Sequence, residues 1–193
     1  MWWVVVPILI LVLLFRPKYK EPEVLRGVLT DEECEYIKTM SKEKLKPSTV
    51  GHDFTEDRDI RKSETAWLDH GDPVIKRIIT KCVDDTSVCE RLQVVRYTPG
   101  GFYIPHHDAN PTEPNTRKHT FIFILNDDYE GGDTVFPFLE KSYRLNKGDI
   151  LSFDTLDSWG RVPHKALHGG EPVTSGEKWI ANLWVRNEKY ISM

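Results

Sequence analysis

The sequence has no long basic tract, no C-x-x-C pair, no H-E-x-x-H motif and no internal repeat. Its net charge is −4, so it lacks the basic surface typical of nucleic-acid-binding domains, and we expect no nucleic-acid partner. The absence of C-x-x-C argues against a structural zinc site and against dithiol redox chemistry. The chain nevertheless has 193 residues, 39% of them apolar, which suffices for one domain with a sizeable core.

The longest apolar run is too short for a comfortable membrane span. Residues 1–15 are apolar without a break, whereas a spanning helix needs about 20 such residues. A cleavable signal peptide would have a basic start and a small-residue cleavage site, and neither is present. We therefore predict that residues 1–20 form an uncleaved membrane anchor with a basic flank, R-P-K-Y-K, ahead of one domain over residues 21–193. A signal sequence and a buried core helix are the alternatives.

The three cysteines leave one question open. Cys82 and Cys89 bracket C-V-D-D-T-S-V-C, a polar stretch that is typical of a loop, while Cys34 lies far from both in sequence. A disulfide between Cys82 and Cys89 would form in an oxidising lumen. Two reduced, partly buried thiols are the alternative.

Helical signals come first along the chain. L-T-D-E-E-C-E-Y-I-K-T-M predicts a helix in which Thr30 caps the N terminus and Glu33 completes a capping box. D-P-V-I-K-R-I-I-T-K-C predicts a second helix, with Pro73 in its first turn. Residues 41–60 between these helices are polar, and we expect them to be irregular.

From residue 90 the apolar period changes to two. R-L-Q-V-V-R-Y, H-T-F-I-F-I-L-N, G-G-D-T-V-F-P, S-Y-R-L, G-D-I-L-S-F-D and K-W-I-A-N-L-W-V-R are separated by Gly and Asp turns. Helices followed by about eight short strands predict a mostly β fold, a sandwich or jelly roll, with helices packed on one face.

The segment P-H-H-D holds the first candidate for a metal site. On a strand, His106 and Asp108 share a face and His107 points away. A second imidazole, from His164 or His168, would complete a site of two histidines and one carboxylate. That set, with open positions on the metal, is typical of non-haem Fe(II) oxygenases.

Three segments carry a resemblance to a known family. L-Q-V-V-R-Y-T-P-G-G-F-Y-I-P-H-H-D, Y-E-G-G-D-T-V-F-P and L-H-G-G-E-P-V-T-S-G-E-K-W-I-A-N-L-W-V-R resemble segments of prolyl 4-hydroxylases. L-T-D-E-E-C, R-K-S-E-T-A-W-L and K-G-D-I-L-S-F resemble further segments of the same family. The matches fall in order from about residue 25 to residue 187, nearly the whole chain after the predicted anchor.

The resemblance implies a double-stranded β-helix that uses Fe(II), 2-oxoglutarate and O2, with ascorbate as an accessory. The implied iron ligands are His106, Asp108 and His168. His168 is preferred to His164 because the family's distal histidine precedes a small residue and then x-x-P-V. Lys178, ten residues beyond His168, matches the lysine that binds the far carboxylate of 2-oxoglutarate.

A buried lysine suits that role, because a carboxylate entering an apolar barrel must be paired to offset its desolvation. Lys178 and Trp184 fall on one face of their strand, so we expect both to line the barrel. Tyr97 and Thr120 match family positions near the co-substrate, and ordinary strand residues are the alternative for both.

Five residues are candidates for contact with a peptide at the barrel mouth. Arg61, Ser63, Glu90 and Tyr103 match family segments, whereas Arg161 lies in D-S-W-G-R, where the match is poor. Surface scaffolding is the alternative for each.

By resemblance, the chain hydroxylates prolyl residues to 4-hydroxyproline in Pro-rich or collagen-like peptides and releases succinate and CO2. Lysyl or other side chains are alternative substrates, because specificity lies in loops 41–60 and 109–117, which match the family least. A catalytically inactive, membrane-tethered peptide-binding module is the alternative from another class. We expect location at the endoplasmic reticulum membrane with a lumenal domain, although the basic residues after the anchor favour the opposite orientation.

Overall fold

Two main β-sheets, a small two-stranded sheet and a helical layer make up the computed structural model, which describes residues 16–51 and 55–191. The helices are α1 (Asp31–Lys42) and α2 (Pro73–Ile79). The strands, in chain order, are β1 (Glu23–Leu25), β2 (Lys46–Pro47), β3 (Arg61–Lys62), β4 (Glu64–Leu68), β5 (Leu92–Tyr97), β6 (Phe102–His106), β7 (Arg117–Ile124), β8 (Glu130–Gly131), β9 (Thr134–Phe136), β10 (Lys141–Tyr143), β11 (Ile150–Asp154), β12 (His168–Gly170), β13 (Val173–Ser175) and β14 (Lys178–Arg186).

The larger sheet has the order β1-β11-β7-β14-β5-β4-β2, and the smaller sheet has the order β10-β9-β12-β6-β3. Neighbouring strands in both are antiparallel. This is the predicted jelly-roll architecture. The short edge strand β1 was not predicted, because three residues are too few for a periodic signal to emerge.

Both predicted helices form, with local capping as expected. Thr30 Oγ1 accepts from the Glu33 backbone N–H, and the Glu33 carboxylate accepts from the Thr30 N–H. Asp72 caps α2, directly before Pro73. Residues 41 and 42 of the predicted irregular segment 41–60 belong instead to the last turn of α1. The other described residues of this segment contain only β2 and an isolated bridge between Val50 and Thr55, so the prediction is confirmed for them.

The larger sheet is apolar on both faces because it separates two cores. Phe121 and Phe123 of β7 pack toward the helices with Ile37 and Ile78. Ile122 and Ile124, which alternate with them, pack into the barrel interior. The helices therefore cover the outer face of the larger sheet. Its inner face lines the barrel interior, where a binding site can form.

The cysteines are free thiols in the structure, which matches the second alternative for Cys82 and Cys89. Burial raises the pKa of Cys34 and of Cys82 to about 11, and that of Cys89 to about 12. At neutral pH all three are therefore protonated and poorly reactive.

The predicted membrane anchor lies mostly outside the described residues, which begin at Arg16. Within the described ranges, no helix is long and apolar enough to span a bilayer.

Candidate active site

Pairing between two strands of the smaller sheet brings the predicted metal ligands together. His106, the last residue of β6, lies opposite His168, the first residue of β12. Asp108 follows two residues after His106, and its carboxylate oxygens lie 3.6 Å from Nε2 of each histidine. One ligand atom from each of the three residues lies within 4.8 Å of the others. The site therefore contains His168 and not His164, as the resemblance implies.

The backbone orients both imidazoles in the same way. Nδ1 of His106 lies 3.0 Å from the Ile104 carbonyl oxygen, and Nδ1 of His168 lies 3.0 Å from the Ala166 carbonyl oxygen. A carbonyl oxygen only accepts, so each Nδ1 carries the proton. Each Nε2 lone pair is then directed at the space between the three residues, which is the arrangement that metal-binding histidines require.

The charges at the site suit a divalent metal. Burial lowers the pKa of His168 to about 4, so the imidazole is neutral at neutral pH. Burial raises the pKa of Asp108, but the imidazoles of His168 and His106 outweigh burial and hold this pKa below its ordinary value. The Thr120 hydroxyl also donates to Asp108 Oδ2, over 2.7 Å. Two imidazoles and one carboxylate are the donor set of non-haem Fe(II) sites.

His107 is not part of this trio, as the strand period predicts. Its Nδ1 is buried and has no hydrogen-bond partner among the described residues. Burial lowers the pKa of His107, and the nearby His164 lowers it further. His164 begins a 3-10 helix and packs on Phe138, with ring centroids 5.3 Å apart.

Lys178 is the second prominent feature of the inner face. The residue is only 3% exposed, and its Nζ donates to the Gly132 carbonyl oxygen over 2.6 Å. No ion pair joins Lys178 to a carboxylate of the described ranges. Burial lowers the pKa of the ammonium to about 8, and Asp133 opposes this shift. An ammonium has three donors, so this group fits a carboxylate supplied by a ligand.

The other predicted co-substrate residues lie along the same inner face, Tyr97 beside Lys178 and Thr120 with Trp184 toward the predicted metal ligands. Tyr97 lies opposite Lys178 on β5, and the Lys178 Nζ is 5.7 Å from the centre of the Tyr97 ring. Trp184 lies opposite Thr120, and its Nε1 is buried without a hydrogen-bond partner in the part of the chain described. Thr120 itself contacts the predicted metal ligand Asp108, so it lies on the metal side of this face.

Three of the predicted peptide contacts form a series of side-chain contacts that ends at His106, a predicted metal ligand. Arg61 donates to Ser63 Oγ over 2.9 Å, and its guanidinium lies 4.7 Å from the centre of the Tyr103 ring. Tyr103 stacks on His106, with ring centroids 3.7 Å apart. The structure therefore places Arg61, Ser63 and Tyr103 beside the trio.

Glu90 has partners that the sequence reasoning missed. Its carboxylate accepts two hydrogen bonds from Arg117, at 2.6 and 2.9 Å, and one from Arg186, at 2.8 Å. The Arg117 guanidinium lies 3.6 Å from the centre of the Trp184 ring. Arg117 and Arg186 stand at the ends of the buried strands β7 and β14. A charged residue at the end of a buried strand requires a counter-charge. This requirement was the sequence signal that could have predicted an acidic partner for Arg117 and Arg186.

Arg161 lies in an exposed loop, apart from the Glu90 cluster. It pairs with Asp157, over 3.2 Å, and stacks over Trp159. The described contacts of Arg161 thus remain within its own loop. The D-S-W-G-R segment is also where the resemblance was poorest.

Comparisons with known proteins agree with this geometry. A profile of the 2OG-Fe(II) oxygenase superfamily matches residues 92–186. A putative prolyl 4-hydroxylase of Acanthamoeba polyphaga mimivirus is 34% identical over 187 residues, covering 89% of this chain and 76% of the relative. The human prolyl 4-hydroxylase subunit alpha-1 is 32% identical, covering 87% of this chain; the chain spans only 35% of that subunit's length.

Solved structures give the same result. The viral collagen prolyl hydroxylase of Paramecium Bursaria Chlorella virus-1, in its 2OG complex, superposes with a TM-score of 0.70 at 31% identity. The superposition covers 86% of this chain and 96% of the viral one.

Proposed function

The chain belongs to the prolyl 4-hydroxylase family of 2OG-Fe(II) oxygenases, and we propose that it converts prolyl residues of Pro-rich or collagen-like peptides to 4-hydroxyproline. The observation that carries this proposal is the pairing of a His106–Asp108–His168 trio with a buried, unneutralised Lys178 on the facing sheet. The complete set of four residues argues against an inactive peptide-binding module.

The residues present fit the family's metal and co-substrate. His106, Asp108 and His168 would hold Fe(II), and Lys178 would hold the far carboxylate of 2-oxoglutarate, with Tyr97, Thr120 and Trp184 along the same inner face. When bound, iron, 2-oxoglutarate and O2 supply the oxidation that releases succinate and CO2 and delivers the hydroxyl group, and we include ascorbate as an accessory reductant.

The protein's own residues orient the ligands and keep the site dry. Two backbone carbonyls fix the imidazole tautomers, and Thr120 holds one carboxylate oxygen of Asp108. Phe136 and Phe153 pack against His168, with ring centroids 5.4 and 4.7 Å away. This apolar wall excludes water from one side of the trio.

A peptide in the polyproline II conformation suits the mouth. Tyr103 presents a partly exposed aromatic surface beside the guanidinium group of Arg61. Proline-rich segments already populate polyproline II and lose little entropy when they dock on aromatic surfaces.

The test is peptide-dependent succinate release with Fe(II) and 2-oxoglutarate, using a Pro-Pro-Gly repeat peptide, followed by mass spectrometry to locate the added oxygen. We expect one oxygen on proline. His168→Ala should abolish turnover, whereas the matched variant His164→Ala should retain it. Oxygen on lysine or another residue would reassign the substrate, and full activity in His168→Ala would refute the ligand assignment.

We also propose that residues 1–20 anchor the chain in the endoplasmic reticulum membrane, with residues 21–193 in the lumen. Fifteen uninterrupted apolar residues and the basic flank support the anchor, while the positive-inside rule opposes this orientation. Alkaline extraction and protease protection of the full chain in microsomes test both parts. Release of the full chain at high pH, as from a variant lacking residues 1–20, would contradict the anchor.

A further inference from the structure

The inner face of the larger sheet continues outward from the candidate active site to an exposed indole. Trp67 of β4 lies opposite Gln93 of β5, which in turn lies opposite Asn182 of β14. The Trp67 ring leans on Trp184, with centroids 6.1 Å apart and planes inclined by 45°. Trp67 is 36% exposed, although it shares a strand with the fully buried Leu68. An aromatic surface therefore extends from Trp184 to solvent.

Guanidinium groups flank both indoles. Arg117 lies 3.6 Å from the Trp184 ring centre, and Arg91, directly before β5, lies 5.6 Å from the Trp67 ring centre. Glu90 neutralises Arg117. These contacts restrict the rotation of the two indole side chains. A ligand that binds them therefore costs less side-chain entropy than one that must first order them.

Two buried polar atoms along this surface lack partners. Trp184 Nε1 and Asn182 Oδ1 have no hydrogen-bond partner among the described residues, although Asn182 Nδ2 donates to Gln93 over 3.1 Å. Leaving such a donor or acceptor unsatisfied costs about 1–3 kcal/mol each. A peptide backbone offers a carbonyl for the first and an N–H for the second. Both atoms lie on the inner face between the metal ligands and Trp67.

We propose that Trp67 binds a second prolyl residue of the substrate peptide, three residues away from the proline placed at the His106–Asp108–His168 site. This inference rests on the proposed function and adds a specificity-determining subsite to it. Trp184 Nε1 donates to a carbonyl of the intervening backbone, and the Trp67 indole packs against the distant pyrrolidine ring.

The spacing follows from strand and peptide geometry. Thr120, which contacts Asp108, is three strands away from Trp67, because the order is β7, β14, β5 and β4. Strands lie about 4.8 Å apart, so the separation across the sheet is about 14 Å. The Trp67 ring leans back toward Trp184 and shortens that distance. A polyproline II helix advances about 9 Å in its three-residue turn and about 19 Å in two turns, so one turn is the nearer to this shortened distance and two turns overshoot it.

The test uses peptides with one acceptor proline and either proline or alanine three residues before or after it. For the wild-type protein we expect KM to be roughly tenfold lower when the second proline occupies the matching position, with kcat unchanged. Trp67→Ala should remove this preference by raising KM for the favoured peptide alone. Trp67→Phe, the matched control, keeps an aromatic face and should keep most of the preference.

The outcomes separate the two proposals. If no prolyl peptide is hydroxylated by the wild-type protein, the proposed function fails. If prolyl peptides are hydroxylated but KM ignores the second proline, only the subsite fails. An equal rise of KM for all peptides in Trp67→Ala would mark a structural role and overturn the inference. If thermal melting finds Trp67→Ala unfolded, Trp67→Leu, which keeps the apolar area without the ring, replaces it.

Discussion

Lys178 and Arg186 stand at opposite ends of β14, and the cations at these two ends meet different surroundings. At the mouth, Arg186 and the neighbouring Arg117 share the carboxylate of Glu90. At the deep end, Lys178 has one carbonyl acceptor and no carboxylate partner within the described chain. The protein itself neutralises the two arginines at the mouth. Lys178 at the deep end would be neutralised by a negatively charged ligand.

The pKa values express this difference. Burial lowers the pKa of Lys178 to about 8, because the nearby charges do not compensate for lost hydration. Burial also acts to lower the pKa of Arg117, but hydrogen bonds and charge from Glu90 outweigh it and raise that pKa. A buried cation that is paired within the chain has a structural role. An unpaired buried cation indicates a binding site for a negatively charged ligand.

The largest expected effect comes from removing the unpaired cation. Lys178→Met should lower the affinity for 2-oxoglutarate by about two to four orders of magnitude, since losing one partner of a buried charge pair costs about 3–5 kcal/mol. The free energy of unfolding of the ligand-free protein should stay the same or rise. Titration calorimetry and urea denaturation measure the two quantities. Lys118→Met is the exposed control, and unchanged binding in Lys178→Met would contradict the assignment.

Removing the carboxylate of Glu90 at the mouth should have the opposite effect, lowering the unfolding free energy and leaving the affinity for 2-oxoglutarate unchanged. Glu90→Leu leaves Arg117, whose side chain is 23% exposed, without its carboxylate partner. This should cost up to about 3 kcal/mol of unfolding free energy, with 2-oxoglutarate affinity retained. Adding Arg117→Met and Arg186→Met should recover most of that loss. If urea denaturation finds no change while KM for the peptide rises, Glu90 serves substrate binding instead, as the sequence resemblance implies.

A substitution at Thr120 tests how the buried carboxylate of Asp108 is stabilised. Thr120→Val keeps the shape of the side chain but removes the hydrogen bond to Asp108, and we expect Fe(II) affinity to fall about 10- to 100-fold. Metal titration under anaerobic conditions measures this loss. The control is Thr134→Val, because Thr134 is a buried threonine of the smaller sheet. An equal loss of Fe(II) affinity in Thr134→Val would show that Thr120 has no special role.

Per pH unit, the smallest effect is the pH dependence that Lys178 contributes. Its folded pKa, about 8, lies below the ordinary value of 10.5, so the unfolded chain binds more protons between these limits. The contribution of Lys178 to the unfolding free energy, measured as the difference between the wild-type protein and Lys178→Met at each pH, should therefore rise with pH from about 8 to about 10.5. Bound 2-oxoglutarate favours the ammonium, so its affinity should fall by at most about tenfold per pH unit above 8. Lys178→Met should lack both dependences.

Local patterns predicted the elements well. The capping box of Thr30 and Glu33 and the two-residue period of β7 act over a few neighbours, so a single sequence reveals them. Strand β1 escaped prediction because its three residues are too few to show a period, and only its pairing with β11, more than a hundred positions away, defines it. Arg161 was chosen from a segment with a poor match, while Arg117, whose role depends on Glu90, was overlooked.

By itself, the sequence determined the types and order of the elements, the His-x-Asp pair and the lysine that the resemblance assigns to the co-substrate. These follow from spacing along one strand or from segments whose residues are contiguous. Only the tertiary structure decided which charges are paired: Glu90 with Arg117 and Arg186, Thr120 with Asp108, and Lys178 with a carbonyl alone. The reason is physical, because the energy of a buried charge depends on the distance to its counter-charge, and that distance is set by strand register across the sheets.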